Sequence, residues 1–166
     1  MKVNGLEEFL EKIRANRMPL GAAITFTDPA VTEVACASGL DFMWFDGEHG
    51  EFGRETAMLH LMAVKGTGVA SLYRVPSCDH AENKRVIDYG AGDAAEYFEK
   101  SAHDPLVMIQ LEHIEAARNL DSILEVPGID AIIGGPFDFT MSMKKPGQFL
   151  DPEVTTTLDA CCRKIR

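Results

Sequence analysis

Short apolar runs recur along the chain and alternate with polar stretches. The runs are Leu20–Phe26, Phe42–Phe45, Val69–Val75, Leu106–Leu111 and Ile129–Ile133, and glycine, proline or aspartate bounds each of them. Near-continuous apolar runs of this length are typical of strands that are buried on both faces of a parallel sheet. The pattern therefore predicts five strands that pair in parallel.

Helical spacing of apolar residues fills the segments around these runs. Residues 1–17 predict an amphipathic helix at the start of the chain. The clearest helices after it are Ala30–Ser38, which Asp28 and Pro29 open, and then Arg54–Lys65, Asp79–Tyr89 and Glu115–Leu124. Strand and helix alternate throughout, and no linker or shift in composition marks a second domain. The sequence thus predicts a single α/β domain over residues 1–166.

Composition and charge narrow the class of protein. The 166 residues are 46% hydrophobic, which is enough for a substantial core, and the formal net charge is −10. An acidic balance argues against nucleic acid or an anionic membrane as the main partner. No apolar run approaches the roughly 18 residues of a membrane-spanning helix, so we expect a soluble, cytoplasmic protein. The four cysteines, Cys36, Cys78, Cys161 and Cys162, form no C-x-x-C motif and are expected to be reduced.

Polar side chains accumulate where the apolar runs end. Because the carboxyl ends of parallel strands meet at one edge of a sheet, such residues can converge although they lie far apart in sequence. The alternative, that the acidic residues only cap the following helices, stays open for each one alone. The residues are Asp46, Glu48 and His49 after the second run, Arg74 in the third, Gln110 and Glu112 at the fourth, and Asp138 after the fifth.

These residue types suit a metal-assisted reaction. Gln110 and Glu112 are two positions apart, so on a strand they share a face. Glu112 and Asp138 supply hard oxygen ligands, which favour Mg²⁺ or Mn²⁺ over zinc. Arg74 is a permanent cation for an enolate oxygen, and His49 is a candidate base. The remaining histidines, His60, His80, His103 and His113, are interpreted as surface or capping groups.

Five motifs, in this order, give the chain a family resemblance. It resembles the HpcH/HpaI aldolases, the metal-dependent (class II) pyruvate aldolases, over nearly its whole length. The motifs are Trp44–Gly50 (WFDGEHG), Tyr73–Pro76 (YRVP), Lys84–Ala91 (KRVIDYGA), Gln110–Glu112 (QLE), and Val126–Asp130 (VPGID) with Gly135–Asp138 (GPFD).

The resemblance implies roles for individual residues. Glu112 and Asp138 correspond to the metal ligands, for Mg²⁺, Mn²⁺ or Co²⁺, and Arg74 to the arginine at the pyruvate keto oxygen. His49 and Asp88 correspond to a His-Asp dyad that acts as general base through a bound water. Gln110 corresponds to a substrate-contacting glutamine, and the backbone of Phe137 and Asp138 would receive the pyruvate carboxylate.

The resemblance also implies a fold and an activity. The fold is a (β/α)8 TIM barrel of the phosphoenolpyruvate/pyruvate type, incomplete in this chain because a full barrel needs about 250 residues. The activity is that of a lyase that converts 4-hydroxy-2-keto acids to pyruvate and an aldehyde through a metal-stabilised enolate. The implied partners are a small keto acid and an aldehyde, with a homo-oligomer, a hexamer in the family.

Three departures from the family pattern bear on that implication. Between Gly92 and Asp93 the family has a further strand, helix and loop, and beyond Arg166 it has an eighth strand and a terminal helix. Lys144 and Lys145 stand where small residues are common. Either the molecule contains residues that this sequence lacks, which we expect, or it is a shortened barrel. We therefore expect a break in the chain, or an impossible Cα distance, near Gly92 and Asp93.

Two other functions remain open at this point. One is a related lyase or decarboxylase that acts on oxaloacetate-type or acyl-CoA substrates through the same enolate chemistry. The other is a non-catalytic scaffold or regulator of the same fold, which the missing strands would favour.

Overall fold

The computed structural model describes residues 5–49, 52–77 and 106–165. By its internal contacts the chain divides into two compact units, Met1–Ala91 and Gly92–Arg166. The boundary lies beside the junction that the sequence predicts at Gly92 and Asp93, but those two residues, Asp88 and the predicted helix Asp79–Tyr89 lie outside the described residues. The predicted single domain stays a prediction.

The first unit is built on a parallel three-stranded sheet. Its elements are α1 (Leu6–Arg14), β1 (Gly21–Ile24), α2 (Pro29–Cys36), β2 (Phe42–Asp46), α3 (Arg54–Val64) and β3 (Ala70–Arg74), and the strand order is β1-β2-β3. The register pairs Ala22 with Met43 and Asp46 with Arg74. All three predicted strands and the two predicted helices between them are confirmed within a few residues.

The core of the first unit lies between this sheet and helices α2 and α3. Met43 and Phe45 on β2 are fully buried, and they pack with Ile24, Cys36 and Val64 in one apolar cluster. Their alternation with the half-buried Phe42 and Trp44 is the two-residue period of a strand. This packing fixes β2 so that its last residue, Asp46, stands at the carboxyl edge of the sheet.

His60 contradicts the sequence interpretation that it is a surface or capping group. It is fully buried, because it shares the inward face of α3 with Ala57 and Val64. Its Nδ1 lies 2.7 Å from Oγ1 of the equally buried Thr32, and its ring packs against Phe45 and Phe52. Among the described residues its Nε2 has no hydrogen-bond partner.

The second unit contains a parallel pair of strands and four short or medium helices among the described residues. They are β4 (Met108–Leu111), α4 (Ile114–Arg118), α5 (Leu120–Leu124), β5 (Ala131–Gly134), α6 (Pro136–Ser142) and α7 (Pro152–Ile165). Strands β4 and β5 pair in the register Leu111 with Gly134. Leu111, Leu120 and Cys161 form the centre of its core.

Helix boundaries in this unit differ from the sequence prediction. The predicted helix Glu115–Leu124 is divided at Asn119, whose φ of −95° and ψ of 12° end α4 and begin α5. His113 is exposed and caps α4, because its Nδ1 accepts the backbone N–H of Glu115 at 3.2 Å; its capping interpretation is confirmed. Helices α6 and α7 were not among the predicted helices.

Two further expectations concern the membrane and the cysteines. In the described parts of the chain, no helix combines the length and the apolar character that crossing a membrane requires. Cys36, Cys161 and Cys162 are free, as expected, and burial raises the pKa of the Cys36 and Cys161 thiols. Cys78 lies outside the described residues.

Candidate active site

Strands β2 and β3 bring four of the singled-out side chains together. Asp46 and Arg74 end neighbouring strands in register, and Glu48 and His49 follow Asp46 in a tight turn. We call Asp46, Glu48, His49 and Arg74 the His49 cluster. The sequence prediction that polar groups at adjacent strand ends converge is confirmed for this unit.

Asp46 is the centre of the His49 cluster. Its Oδ1 accepts the backbone N–H groups of Glu48 and His49 at 2.9 and 3.0 Å, and its Oδ2 lies 3.1 Å from Nδ1 of His49. Burial works to raise the pKa of Asp46, but the hydrogen bonds from His49 and Glu48 outweigh it, so the pKa lies below its usual value. The carboxylate is therefore ionised at neutral pH and holds the turn in place.

Arg74 contacts all three of the other members. Its Nη1 lies 3.1 Å from Nδ1 of His49 and 3.7 Å from Oδ2 of Asp46, and its Nη2 is ion-paired with Glu48. The side chain of Arg74 is 15% exposed, whereas that of His49 is 60% exposed. The guanidinium is thus held within the cluster, and the imidazole is accessible to a ligand.

Gly47 permits this close arrangement. Its backbone N–H donates to the carbonyl of Arg74 at 3.0 Å. A Cβ atom at this position would lie 2.5 Å from the Tyr73 hydroxyl oxygen and 2.7 Å from the Arg74 carbonyl oxygen. Any larger residue would therefore force the turn that carries Glu48 and His49 away from β3.

A second group of singled-out residues meets at the ends of β4 and β5. Gln110 Nε2 donates to Oε2 of Glu112 at 2.6 Å, and both side chains lie against Gly135. We call Gln110, Glu112 and Gly135 the Glu112 cluster. The backbone N–H of Gly135 donates to the carbonyl of Leu111 at 3.0 Å, which fixes the turn that leads into α6.

Asp138 and Phe137 stand in the first turn of α6. Both are exposed, and the ring of Phe137 lies 6.5 Å from that of Phe149. Asp138 therefore follows β5 by the same short turn that packs against Glu112. Within residues 5–49, 52–77 and 106–165, no three His, Cys, Asp or Glu side chains form a ready metal-binding group.

Sequence reasoning did not find every residue that shapes these clusters. It singled out Asp46 and Glu48 as polar residues at a strand end but gave them no role in the site. The sequence does contain a signal for this turn. Asp46 stands two residues before Glu48 and three before His49, and an aspartate at this spacing commonly accepts the following backbone N–H groups. The predicted partner of His49, Asp88, lies outside the described residues, and the His49–Asp88 dyad stays a prediction.

Comparison with known proteins connects this arrangement to one family. A model of the family described as HpcH/HpaI aldolase/citrate lyase matches residues 93–165. The 5-keto-4-deoxy-D-glucarate aldolase of Citrobacter koseri is 25% identical over an alignment of 191 residues, gaps included. The alignment covers 91% of this chain and 74% of that protein. The resemblance stated from the motifs is confirmed, and the curated relatives are aldolases.

Two solved structures have a fold similar to that of this chain. The HpcH/HpaI aldolase from Desulfitobacterium hafniense aligns with a TM-score of 0.80 and 23% identity, over 93% of this chain and 76% of that one. An HpcH/HpaI aldolase/citrate lyase family protein from Burkholderia cenocepacia aligns with a TM-score of 0.82 and 18% identity, over 95% and 81% of the two chains.

The lengths of these alignments bear on the predicted missing segment. The match to the Citrobacter koseri aldolase spans 191 residues, more than the 166 of this chain, so that relative contains residues without a counterpart here. The family match begins at residue 93, at the predicted junction. The predicted missing segment between Gly92 and Asp93 stays a prediction.

Proposed function

We propose that this chain, which resembles the HpcH/HpaI aldolases and citrate lyases in its family-model match and in its curated relatives, is a carbon–carbon lyase of the class II aldolase type. It cleaves or forms 4-hydroxy-2-keto acids, with pyruvate and an aldehyde as the other side of the reaction. The observation that carries the proposal is the His49 cluster, in which an accessible imidazole lies 3.1 Å from a largely buried guanidinium.

The donor set fits a divalent cation. Glu112 directly follows β4, and Asp138 stands in the first turn of the helix that follows the paired strand β5. The space beside Glu112 Oε2 is one that a Cβ at Gly135 would fill, at 3.1 Å. Glu112 and Asp138 would hold Mg²⁺, Mn²⁺ or Co²⁺ through oxygen, and substrate and water would take the remaining positions.

When bound, the cation withdraws electrons from the 2-keto group and favours the enolate. In the cleavage direction His49 accepts the proton of the C4 hydroxyl group. The C3–C4 bond breaks, the aldehyde leaves, and the electron pair forms the pyruvate enolate. The guanidinium of Arg74 stabilises the enolate oxygen, and the proton that His49 accepted is then delivered to C3, which gives pyruvate and restores the neutral imidazole.

The His49 cluster also supplies a way to set the imidazole tautomer. Nδ1 of His49 lies beside the carboxylate of Asp46, which accepts hydrogen bonds, and the guanidinium of Arg74, which donates them. Because Nδ1 either carries a proton or has a free lone pair, it forms a hydrogen bond with only one of the two at a time. When Arg74 turns to the substrate oxygen, Nδ1–H donates to Asp46. The lone pair of Nε2 is then available to accept the proton.

The proposal includes the architecture that this chemistry requires. The proposed fold is that of a (β/α)8 barrel, and Asp88 serves with His49 as the general-base dyad. Gln110 and the backbone of Phe137 and Asp138 contact the keto acid. The active form is a homo-oligomer, and its partners are the small keto acid and the aldehyde.

One alternative enzyme function has an observation in its favour. The matching family is described as aldolase/citrate lyase, which covers more than one class of substrate. A lyase or decarboxylase on oxaloacetate-type or acyl-CoA substrates would use the same enolate chemistry. A non-catalytic scaffold would keep the fold and have no activity.

An activity assay with metal removal tests the proposal. The protein is dialysed against a chelator and supplied with a panel of 4-hydroxy-2-keto acids, oxaloacetate and an acyl-CoA ester, with pyruvate release followed by a coupled enzyme. We expect pyruvate from a hydroxy-keto acid only after Mg²⁺, Mn²⁺ or Co²⁺ is returned. Release only from oxaloacetate or the ester would favour the alternative lyase, and no release from any substrate would favour the scaffold.

A further inference from the structure

Gln110 and Glu112 are joined directly rather than through a ligand. They stand two residues apart on the same face of the end of β4, and Gln110 Nε2 donates to Glu112 Oε2 at 2.6 Å. Hydrogen bonds to a charged carboxylate are stronger than those between neutral groups. This bond therefore restrains the carboxylate before any substrate arrives.

Gly135 lies against the side chains of both Gln110 and Glu112. A Cβ atom at Gly135 would lie 2.7 Å from Gln110 Nε2, 2.8 Å from Glu112 Cβ and 3.1 Å from Glu112 Oε2. The backbone at this position has a φ of −105°, which residues with side chains also adopt, so the constraint is one of space and not of conformation. The absence of a side chain at Gly135 thus lets the turn after β5 pack against both side chains.

We propose that Gln110 is a positioning residue for the metal ligand Glu112. Gln110 orients the carboxylate of Glu112, which in turn binds the cation, and this role is additional to any contact between Gln110 and the keto acid. Gly135 contributes because it leaves room for both side chains. The inference rests on the proposed function, because it requires that Glu112 binds a divalent cation. Groups that orient a metal ligand in this way usually contribute about 10- to 100-fold to metal affinity.

Titration of Mn²⁺ into the metal-free protein, without any keto acid, separates this role from substrate contact. Gln110→Met keeps the length of the side chain and removes the N–H donor. We expect it to weaken Mn²⁺ binding by about 10- to 100-fold. A glutamine that contacts only the keto acid would leave this affinity unchanged and raise KM alone.

Two neighbouring glycines provide a matched pair of variants. Gly135→Ala introduces a methyl group against Gln110 and Glu112, whereas a Cβ at Gly134 meets nothing within 4 Å. We expect Gly135→Ala to weaken Mn²⁺ binding at least several-fold and Gly134→Ala to change it by less than about twofold. Thermal unfolding of each metal-free variant shows that the fold is retained, and the glycine pair carries the test if Gln110→Met does not fold.

The possible results separate the two proposals. Weaker Mn²⁺ binding by Gln110→Met and by Gly135→Ala, with Gly134→Ala near wild type, is the expected result. Unchanged Mn²⁺ binding by Gln110→Met, in a wild-type protein that binds Mn²⁺ and releases pyruvate, overturns the positioning role and leaves the aldolase proposal standing. Equal losses in both glycine variants also overturn it, and a wild-type protein that binds no Mn²⁺ overturns both proposals.

Discussion

The two units satisfy their polar groups at the strand ends in different ways. In the first unit, Arg74 at the end of β3 is paired with both Asp46 and Glu48, and His49 lies beside Asp46 and Arg74. In the second unit, a neutral amide restrains the carboxylate of Glu112, and this bond leaves its negative charge in place. The first arrangement suits proton transfer and oxyanion stabilisation, and the second suits binding of a cation.

This difference predicts that substitutions in the two units have different effects. A cluster whose charged side chains pair with one another keeps its geometry without a ligand, which is the preorganisation that transition-state stabilisation requires. A carboxylate whose orientation a neighbouring amide fixes is suited to binding a cation. Substitutions in the first unit should therefore change turnover, and substitutions in the second should change metal affinity.

His49→Ala is expected to have the largest effect on turnover. Loss of a general base typically lowers the rate by about 10²- to 10⁴-fold. Because His49 belongs to the first unit, we expect Mn²⁺ affinity to stay within about threefold of wild type. Steady-state pyruvate release and Mn²⁺ titration on the same preparation measure the two quantities. A large loss of Mn²⁺ affinity in this variant would contradict the prediction that substitutions in the first unit change turnover and not metal affinity.

Arg74→Lys comes next. A lysine keeps the charge but loses the planar fork that contacts His49, Asp46 and Glu48 together. We expect kcat to fall by about 10²-fold or more, the usual effect of removing an oxyanion-stabilising donor. The circular-dichroism spectrum should be unchanged. Wild-type turnover in this variant would remove Arg74 from the mechanism.

Thr32→Val tests the first unit away from its site. It leaves the buried Nδ1 of His60 without its partner at 2.7 Å, which should lower the free energy of unfolding by about 1 to 3 kcal/mol. Urea unfolding measures this change. Turnover under conditions where the variant is folded should be that of wild type, because neither side chain belongs to the His49 cluster. A loss of turnover in the folded protein would extend the site into this core.

Asp46→Asn has the smallest expected effect on stability, about 1 kcal/mol near neutral pH, and a distinctive dependence on pH. The pKa of Asp46 is lowered in the folded protein, so its ionised form stabilises the fold above the unfolded value of about 4. That contribution is lost as the pH falls through the lowered pKa. The variant should therefore lose less stability than wild type between about pH 5 and pH 2. Parallel acid dependences would contradict this account of Asp46.

The sequence predicts strands better than it predicts the packing of helix faces. Apolar runs predict all five strands that the structure describes, because a strand buried on both faces needs an almost uninterrupted apolar sequence. His60 was misplaced because a single histidine on a helix carries no sign of which face turns inward, and only the packing of α3 against Thr32 decides it. The division at Asn119 likewise depends on a local backbone conformation that periodicity does not record.

For the candidate site, residue identities were predictable and their partners were not. The spacing of Gln110 and Glu112 predicts a shared face, but the hydrogen bond between them depends on the turn at Gly135. His49 was assigned Asp88 from the resemblance, whereas the described residues place Asp46 3.1 Å from its Nδ1. Short-range geometry of this kind is set by backbone turns that a sequence motif implies only indirectly.

The most direct test of the central claim, that the protein is a metal-dependent lyase whose cation Glu112 binds, compares Mn²⁺ affinity and pyruvate release in wild type, His49→Ala and Glu112→Ala. We predict that His49→Ala lowers pyruvate release and keeps Mn²⁺ affinity within about threefold of wild type, whereas Glu112→Ala abolishes Mn²⁺ binding and pyruvate release together. Mn²⁺ binding or pyruvate release at the wild-type level in Glu112→Ala would contradict the claim.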